Sequence, residues 1–173
     1  MSKVITFSRT FPFYHPRKGE PTYFVEKIHK SIGGKYSKDF PEPEELNFDA
    51  GYFLECEPKH HTIRAGHHFK VGNWFSPRVW SGKPYHSKQI IVAPDIQVKK
   101  VWDFEMKPAL WADECTYKVN GIEIDSKTIK EIAKNDGLDI TDFIFWFAGQ
   151  NIASSNRKSF SGQIICWNES LDY

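Results

Sequence analysis

The chain has 173 residues, with 23 Lys and Arg against 22 Asp and Glu, a formal net charge of +1 and 40% hydrophobic residues. That length fits one domain, residues 1–173, with a proper core, and two separate cores would be tight. A near-neutral balance argues against wholesale coating of nucleic acid, and no apolar run approaches the length needed to span a bilayer.

Cysteines 56, 115 and 166 are odd in number and widely spaced, with no Cys-x-x-Cys, which disfavours a disulfide framework or a zinc ribbon and suits a reducing compartment. The opening Met-Ser-Lys-Val-Ile-Thr-Phe lacks the long apolar core of a secretory leader. The expectation is a cytoplasmic protein.

In chain order, residues 4–9 are β-rich and short. Residues 11–19, with two prolines and a glycine, read as a loop. Pro21-Thr22 opens a helix in which Phe24, Ile28 and Ile32 form an apolar stripe and Gly33-Gly34 stop it. The segment at about 35–58 is predicted as a long acidic loop, an insertion with seven acids from 37 to 58 against Lys38 alone. Residues 73–80 read as a strand, which Pro77 pushes towards an edge or a bulge. Residues 87–93 form its return. From Ile96 to Glu105, Ile96, Val98, Trp102 and Phe104 alternate with polar positions, as in a half-buried strand. Asn120-Gly121 marks a hairpin. Asp125 or Ser126 caps a helix over Thr128 to Asn135 that Gly137 ends, and Asp139 or Thr141 caps another through Phe147. Residues 149–160 are loop-like, and 163–167 form the last strand. Several strands closing on themselves with helices at the rim predict an α+β fold, a small mixed β-barrel with flanking helices.

The richest stretch is Lys59-His60-His61-Thr62-Ile63-Arg64, followed by Ala65-Gly66-His67-His68. In a strand, Thr62 and Arg64 share one face and Ile63 takes the other. Pro58 delays the strand, so Lys59 can enter from the preceding turn and meet Thr62 across a cleft. Between Lys59 and Lys100, eight Lys or Arg stand against Asp95 alone, so the neutral total hides a segregated charge pattern. His61 and His67 invite a metal reading, but no His-x-x-x-His or nearby Cys completes a tetrahedral set, and no metal or other cofactor is assigned. Flat aromatics such as Trp80 lie among Arg78, Lys83 and further cations, as a single-stranded nucleic-acid platform needs, although rings also fill barrel cores. Ser76, Pro77, Arg78, Trp80, Ser81 and Lys83 are expected to be the most exposed of this region.

Lys-x-x-Thr-x-Arg with a basic Gly turn resembles the ASCH domains, relatives of the PUA RNA-binding fold, and is most similar to their N4-acetylcytidine amidohydrolase branch. The opening strand and helix, the run Ile132-Ala133-Lys134-Asn135-Asp136-Gly137 leading to Phe143 and Trp146-Phe147, and the closing strand Gln163-Ile164-Ile165-Cys166-Trp167 follow the family's order over most of the chain. The resemblance implies a PUA-like barrel and a catalytic set of Lys, Thr and Glu, carried here by Lys59, Thr62 and, one methylene shorter, Asp136. A second departure is the long acidic insertion. The partner implied is RNA or a modified nucleoside, held by Arg64, His61, His67, Arg78, Trp80 and Lys83.

A Thr hydroxyl needs an adjacent base, and a Lys serves as one only if burial or a neighbouring cation lowers its pKa. A carboxylate at 136 orients the amine but also raises its pKa, so these two effects oppose each other. Three readings stay open: hydrolysis of an N4-acyl group by Thr62 and Lys59, a non-catalytic RNA-binding module, or a ribonuclease using Lys59 with His61 or His67.

Overall fold

A computed structural model describes residues 2–33, 46–109, 114–149 and 159–173. The Gly34 helix stop, residues 34–45 of the acidic insertion and residues 150–158 of the last loop lie outside it. The elements run β1 (Lys3–Thr6), α1 (Phe24–Ser31), α2 (Ala50–Glu55), β2 (His61–Ala65), β3 (Trp74–Trp80), β4 (Gln89–Ile91), β5 (Ile96–Gln97) and β6 (Lys100–Lys107). They continue with β7 (Thr116–Val119), β8 (Ile122–Glu123), α3 (Ser126–Asn135), α4 (Ile140–Ala148) and β9 (Phe160–Cys166). No helix among the described residues is long and apolar enough to cross a membrane.

The fold is a mixed α+β one with two sheets. In the first, β1 pairs parallel to β3, which also pairs with β4 and β5; in the second the order is β2-β9-β6-β7-β8. Among the described residues no strand pairing closes the two sheets into one barrel. The predicted strand over 96–105 is cut in two where the chain changes sheet. The Val98 N–H donates to Asn73 and the next, from Lys99, donates to Cys166, so a single residue step carries the strand from one sheet to the other.

The core explains the periodicities. Phe24, Val25 and Ile28 of α1, Ile129, Ile132 and Ala133 of α3, and Phe143 and Ile144 of α4 are buried in one cluster with Ile164, Ile165 and Phe104. Asp125 and Asp139 cap α3 and α4 by accepting from the N–H groups of Thr128 and Asp142. Asn120 and Gly121 both have positive φ, +50° and +78°, as the two-residue hairpin between β7 and β8 demands.

Four expectations are corrected. The acidic segment is not all loop: Asp49 caps the short α2, whose residues are all at least partly exposed, so no apolar stripe betrays it in the sequence. Pro21 does not open α1. It bridges Thr10, and the helix starts three residues later, behind Tyr23 in the left-handed region. Pro77 does not force an edge, for β3 is the central strand of its sheet. Its carbonyl accepts from Val92, and its ring nitrogen points to that same side, into the gap between the partners β5 and β4, where no ladder bond is lost. For the same reason Ser76 and Pro77 are buried and Arg78 and Trp80 half-buried, while only Ser81 and Lys83 of the expected set are exposed.

Candidate functional site

The C-terminal end of α3 organises the site. Asp136 is its last, C-cap residue, and Gly137 follows at φ +82°, a conformation that also lets the backbone pass the Lys59 side chain, since a Cβ at 137 would lie 3.4 Å from that of Lys59. A helix ends with unpaired carbonyls and a partial negative charge. Two lysines meet them here: Lys27 of α1 donates to the Gly137 carbonyl at 2.7 Å, and Lys59 donates to the Asp136 carbonyl. Lys59 also donates to Asp136 Oδ1 at 2.6 Å.

Lys59 is only 1% exposed. It lies just before β2, its own N–H bonded to the Lys27 carbonyl, so it enters from the turn as its spacing from Thr62 requires. Burial pushes the Lys59 amine down to about 8; Asp136 pulls it back up, and Arg64 and Lys27 push it down. For Asp136, burial acts to raise the carboxyl, but Lys59 and His61 outweigh it and hold it below the usual carboxylate range. The pair is therefore ionised at neutral pH with an amine that sheds its proton readily. An ammonium has three N–H groups. Asp136 takes two, and the third position is left for a proton or a lone pair.

His61, on the first residue of β2, is fully buried. Its Nδ1 lies 3.6 Å from Asp136 Oδ1, beyond hydrogen-bond distance, and neither ring nitrogen has a hydrogen-bond partner among the described residues. Burial lowers its pKa and keeps it neutral. Its ring stands edge-on to Tyr173, whose hydroxyl accepts from Asn135.

Thr62 and Arg64 share a face of β2, and both line a cavity of about 220 Å³ together with Lys59 and Asp136. The Arg64 guanidinium reaches across from the second sheet to the first, donating from Nη2 to the Thr6 carbonyl at 2.7 Å, while its Nε is buried without a partner. It stacks 5.2 Å above the Phe7 ring, and Lys59 Nζ lies 4.5 Å from the Phe24 ring centre. Most of the rest of the wall is aromatic, from Phe7, Phe24, Trp80, Tyr85, and Trp146 and Phe147 of α4, with Thr6, Ser8, Ile63 and Pro84 between them. The chemistry on offer is a poised amine, a hydroxyl and an unfilled guanidinium donor in a slot with flat apolar walls.

The structure thus brings Lys59, Thr62, Arg64, Asp136 and Trp80 to one cavity, with His61 behind the carboxylate. His67 is not brought there: it is exposed and lies 3.2 Å from Asp103 Oδ1. His61 and His67 therefore do not converge, and among the described residues no group of three or more metal-capable side chains forms. Arg78 donates to Ser76 of its own strand and to Gln89 of the neighbouring β4, and Lys83 lies on the exposed turn beside the cavity rather than in its wall. Trp146, Phe147, Phe7 and Phe24 were not expected in the site. The signal for α4 was ambiguous in principle, because a helix as apolar as this one reads as core, and its Phe143 and Ile144 are core.

No protein-family model matches the chain, and no curated protein or solved structure shows a significant match to it. What the site does is therefore argued from its geometry.

Proposed function

We propose that the cavity takes the base of a cytosine-type nucleoside and that the protein hydrolyses an N4-acyl group from it, in a PUA-like fold of the ASCH kind whose two sheets are the halves of a small open barrel. The observation that carries this reading is the buried Lys59–Asp136 pair opening, beside Thr62, onto a slot walled by aromatic rings. A flat base has large apolar faces and polar edges, and is recognised by stacking on rings with a few fixed donors at its edge.

Neutral Lys59 removes the Thr62 hydroxyl proton, and the Thr62 oxygen attacks the acyl carbonyl carbon. The carbonyl π pair moves to oxygen, and Arg64 Nε, buried and unfilled, donates to the oxyanion. The intermediate collapses as the bond from carbon to N4 breaks; N4 takes the proton from Lys59 and leaves as the free amino group of cytidine. Water then attacks the Thr62 ester with Lys59 again accepting the proton, and the acid is released as Thr62 is restored. With a pKa of about 8, roughly a tenth of Lys59 is neutral at pH 7, so the base needs no further activation. Asp136 keeps the amine oriented, two of its hydrogens tied, with its free position towards the cavity. The location consistent with such a substrate and with free thiols is the cytoplasm.

The test is hydrolysis of N4-acetylcytidine by the purified protein, followed by chromatography. Turnover that falls about 10²-fold or more in Thr62→Ala and in Lys59→Met, with unchanged circular dichroism, supports the reading; undiminished turnover in either variant, or none in the native protein, overturns it. A second reading, RNA binding without turnover, is favoured by one observation: no acidic residue lies between Glu57 and Asp95. It requires binding that weakens steeply with salt.

A further inference from the structure

The turn from β3 to β4 is built unlike the rest of the cavity wall. It is a closed knot: the Ser81 N–H donates to the Lys88 carbonyl, that of His86 to the Lys83 carbonyl, and the Ser87 hydroxyl accepts from Gly82 and donates to Lys83. At its tip Tyr85 sits at φ +65°, in the left-handed region that a bulky residue avoids. The strain does not bury the ring, for Tyr85 is 86% exposed, yet it lines the cavity, 5.4 Å from the Trp80 ring. A rigid turn whose hydrogen bonds hold a large aromatic ring in an unfavourable conformation, in solvent, at the mouth of a pocket points to a contact with a ligand there.

Size and charge say which ligand. The cavity, at about 220 Å³, is smaller than the roughly 300–1,000 Å³ that encloses a whole drug-sized molecule, so it has room for a base but leaves a ribose and its substituents outside. What lies outside meets the turn. Lys83, His86 and Lys88 are exposed on it, and none pairs with a carboxylate among the described residues. Inside, the cations are already engaged, Lys59 by Asp136 and Arg64 in part by the Thr6 carbonyl. A negative group on the ligand therefore finds its counter-charge at the rim.

We propose that the ligand is a phosphate ester of the nucleoside, its base stacked between Tyr85 and the inner rings and its phosphate held by Lys83, His86 and Lys88. This rests on the reading of the cavity as a nucleoside site and names the form of substrate it takes. The same chemistry is offered by a free nucleotide and by a nucleotide within an RNA strand.

Trp80 and Trp146 line the cavity, so binding is read from tryptophan fluorescence, with cytidine, cytidine 5′-monophosphate and a cytidine trinucleotide as probes, whether or not any is hydrolysed. The monophosphate is expected to bind about tenfold more tightly than cytidine at low salt, with the advantage shrinking as salt rises and vanishing in Lys83→Ala/Lys88→Ala. Tyr85→Ala weakens all three probes, and Tyr85→Phe restores them. A trinucleotide tighter than the monophosphate assigns the phosphate to an RNA strand; equal affinity assigns it to a free nucleotide. Equal binding of cytidine and its monophosphate, or a preference that survives Lys83→Ala/Lys88→Ala, overturns the phosphate site and leaves the nucleoside cavity standing. No binding of any probe overturns both.

Discussion

Replacing Asp136 by Asn keeps the shape of the side chain and removes the charge that faces Lys59 at 2.6 Å. Two responses compete. If Lys59 stays protonated, the variant carries an uncompensated buried charge, which costs about 3–5 kcal/mol. If Lys59 instead gives up its proton, the cost at pH 7 is that of deprotonating an amine whose pKa is about 8, one unit or about 1 kcal/mol. The second is smaller, so the amine discharges. Lys59 titrates in the folded protein well below its usual 10.5, so the stability it contributes is complete above pH 10.5 and is lost as the pH falls towards about 8. Below that the native protein takes up the proton and loses no more, whereas the Asn variant resists protonation and goes on losing. The difference between the two in urea unfolding should therefore be near zero at pH 9, about 1 kcal/mol at pH 7 and about 3 kcal/mol at pH 6. A difference of about 3–5 kcal/mol that stays flat from pH 6 to 9 would refute the discharge. So would no difference at any pH, which would mean that the pair is not coupled.

Three further outcomes are expected. Asp136→Glu should cost about 1–3 kcal/mol in urea unfolding and lower turnover, because the backbone carbonyl and the carboxylate of residue 136 already reach the same amine and a further methylene has no place between them; a variant as stable and as active as the native protein contradicts this. Gly162→Ala should destabilise by about 3 kcal/mol, since its Cβ would fall 2.0 Å from the Arg64 carbonyl oxygen, a backbone atom of the paired strand that cannot step aside; thermal unfolding within a degree of the native protein would show that the strands can part. Cys166, fully buried with its thiol pushed up to about 11 by that burial, should resist a thiol reagent at pH 8 in the folded state and react in urea, and equal rates in both states would contradict its burial.

The parts of this fold that the sequence makes legible are those set by local chemistry. Asp125 and Asp139 cap because a short carboxylate meets free N–H groups, and Asn120-Gly121 turns because both residues tolerate positive φ. Period two puts Thr62 and Arg64 on one wall, and Pro58 leaves Lys59 outside the strand. What local chemistry does not carry is partnership. Pro77 looks like an edge residue until the gap between β5 and β4 is seen beside it. Arg78, Lys83 and His67 lie in the right region, but whether such a side chain faces a cavity, neighbouring strand residues or a carboxylate depends on the register of other strands. The aromatic walls drawn from Phe7 just after β1, from α1 and from α4 come from three distant segments, and each ring alone reads equally well as core.

The Lys59–Asp136 pair itself bears on function, because stability does not account for it. A buried ion pair is about as stable as a well-packed apolar pair of similar size, or less so, and α3 could be fixed to β2 by two aliphatic side chains as well. An apolar pair, however, leaves the Asp136 carbonyl at the end of α3 without its Lys59 donor and gives no titratable group at the cavity. The ionic pair answers the helix end and sets an amine near 8, where burial alone would drive it lower and the carboxylate alone would hold it higher. On the proposed reading this compromise is the reason for a short carboxylate on a helix C-cap. Asp136 contributes its side-chain charge and its main-chain carbonyl to one nitrogen, holding two of the amine's hydrogens and leaving the third position for the proton or lone pair that the proposed base role uses.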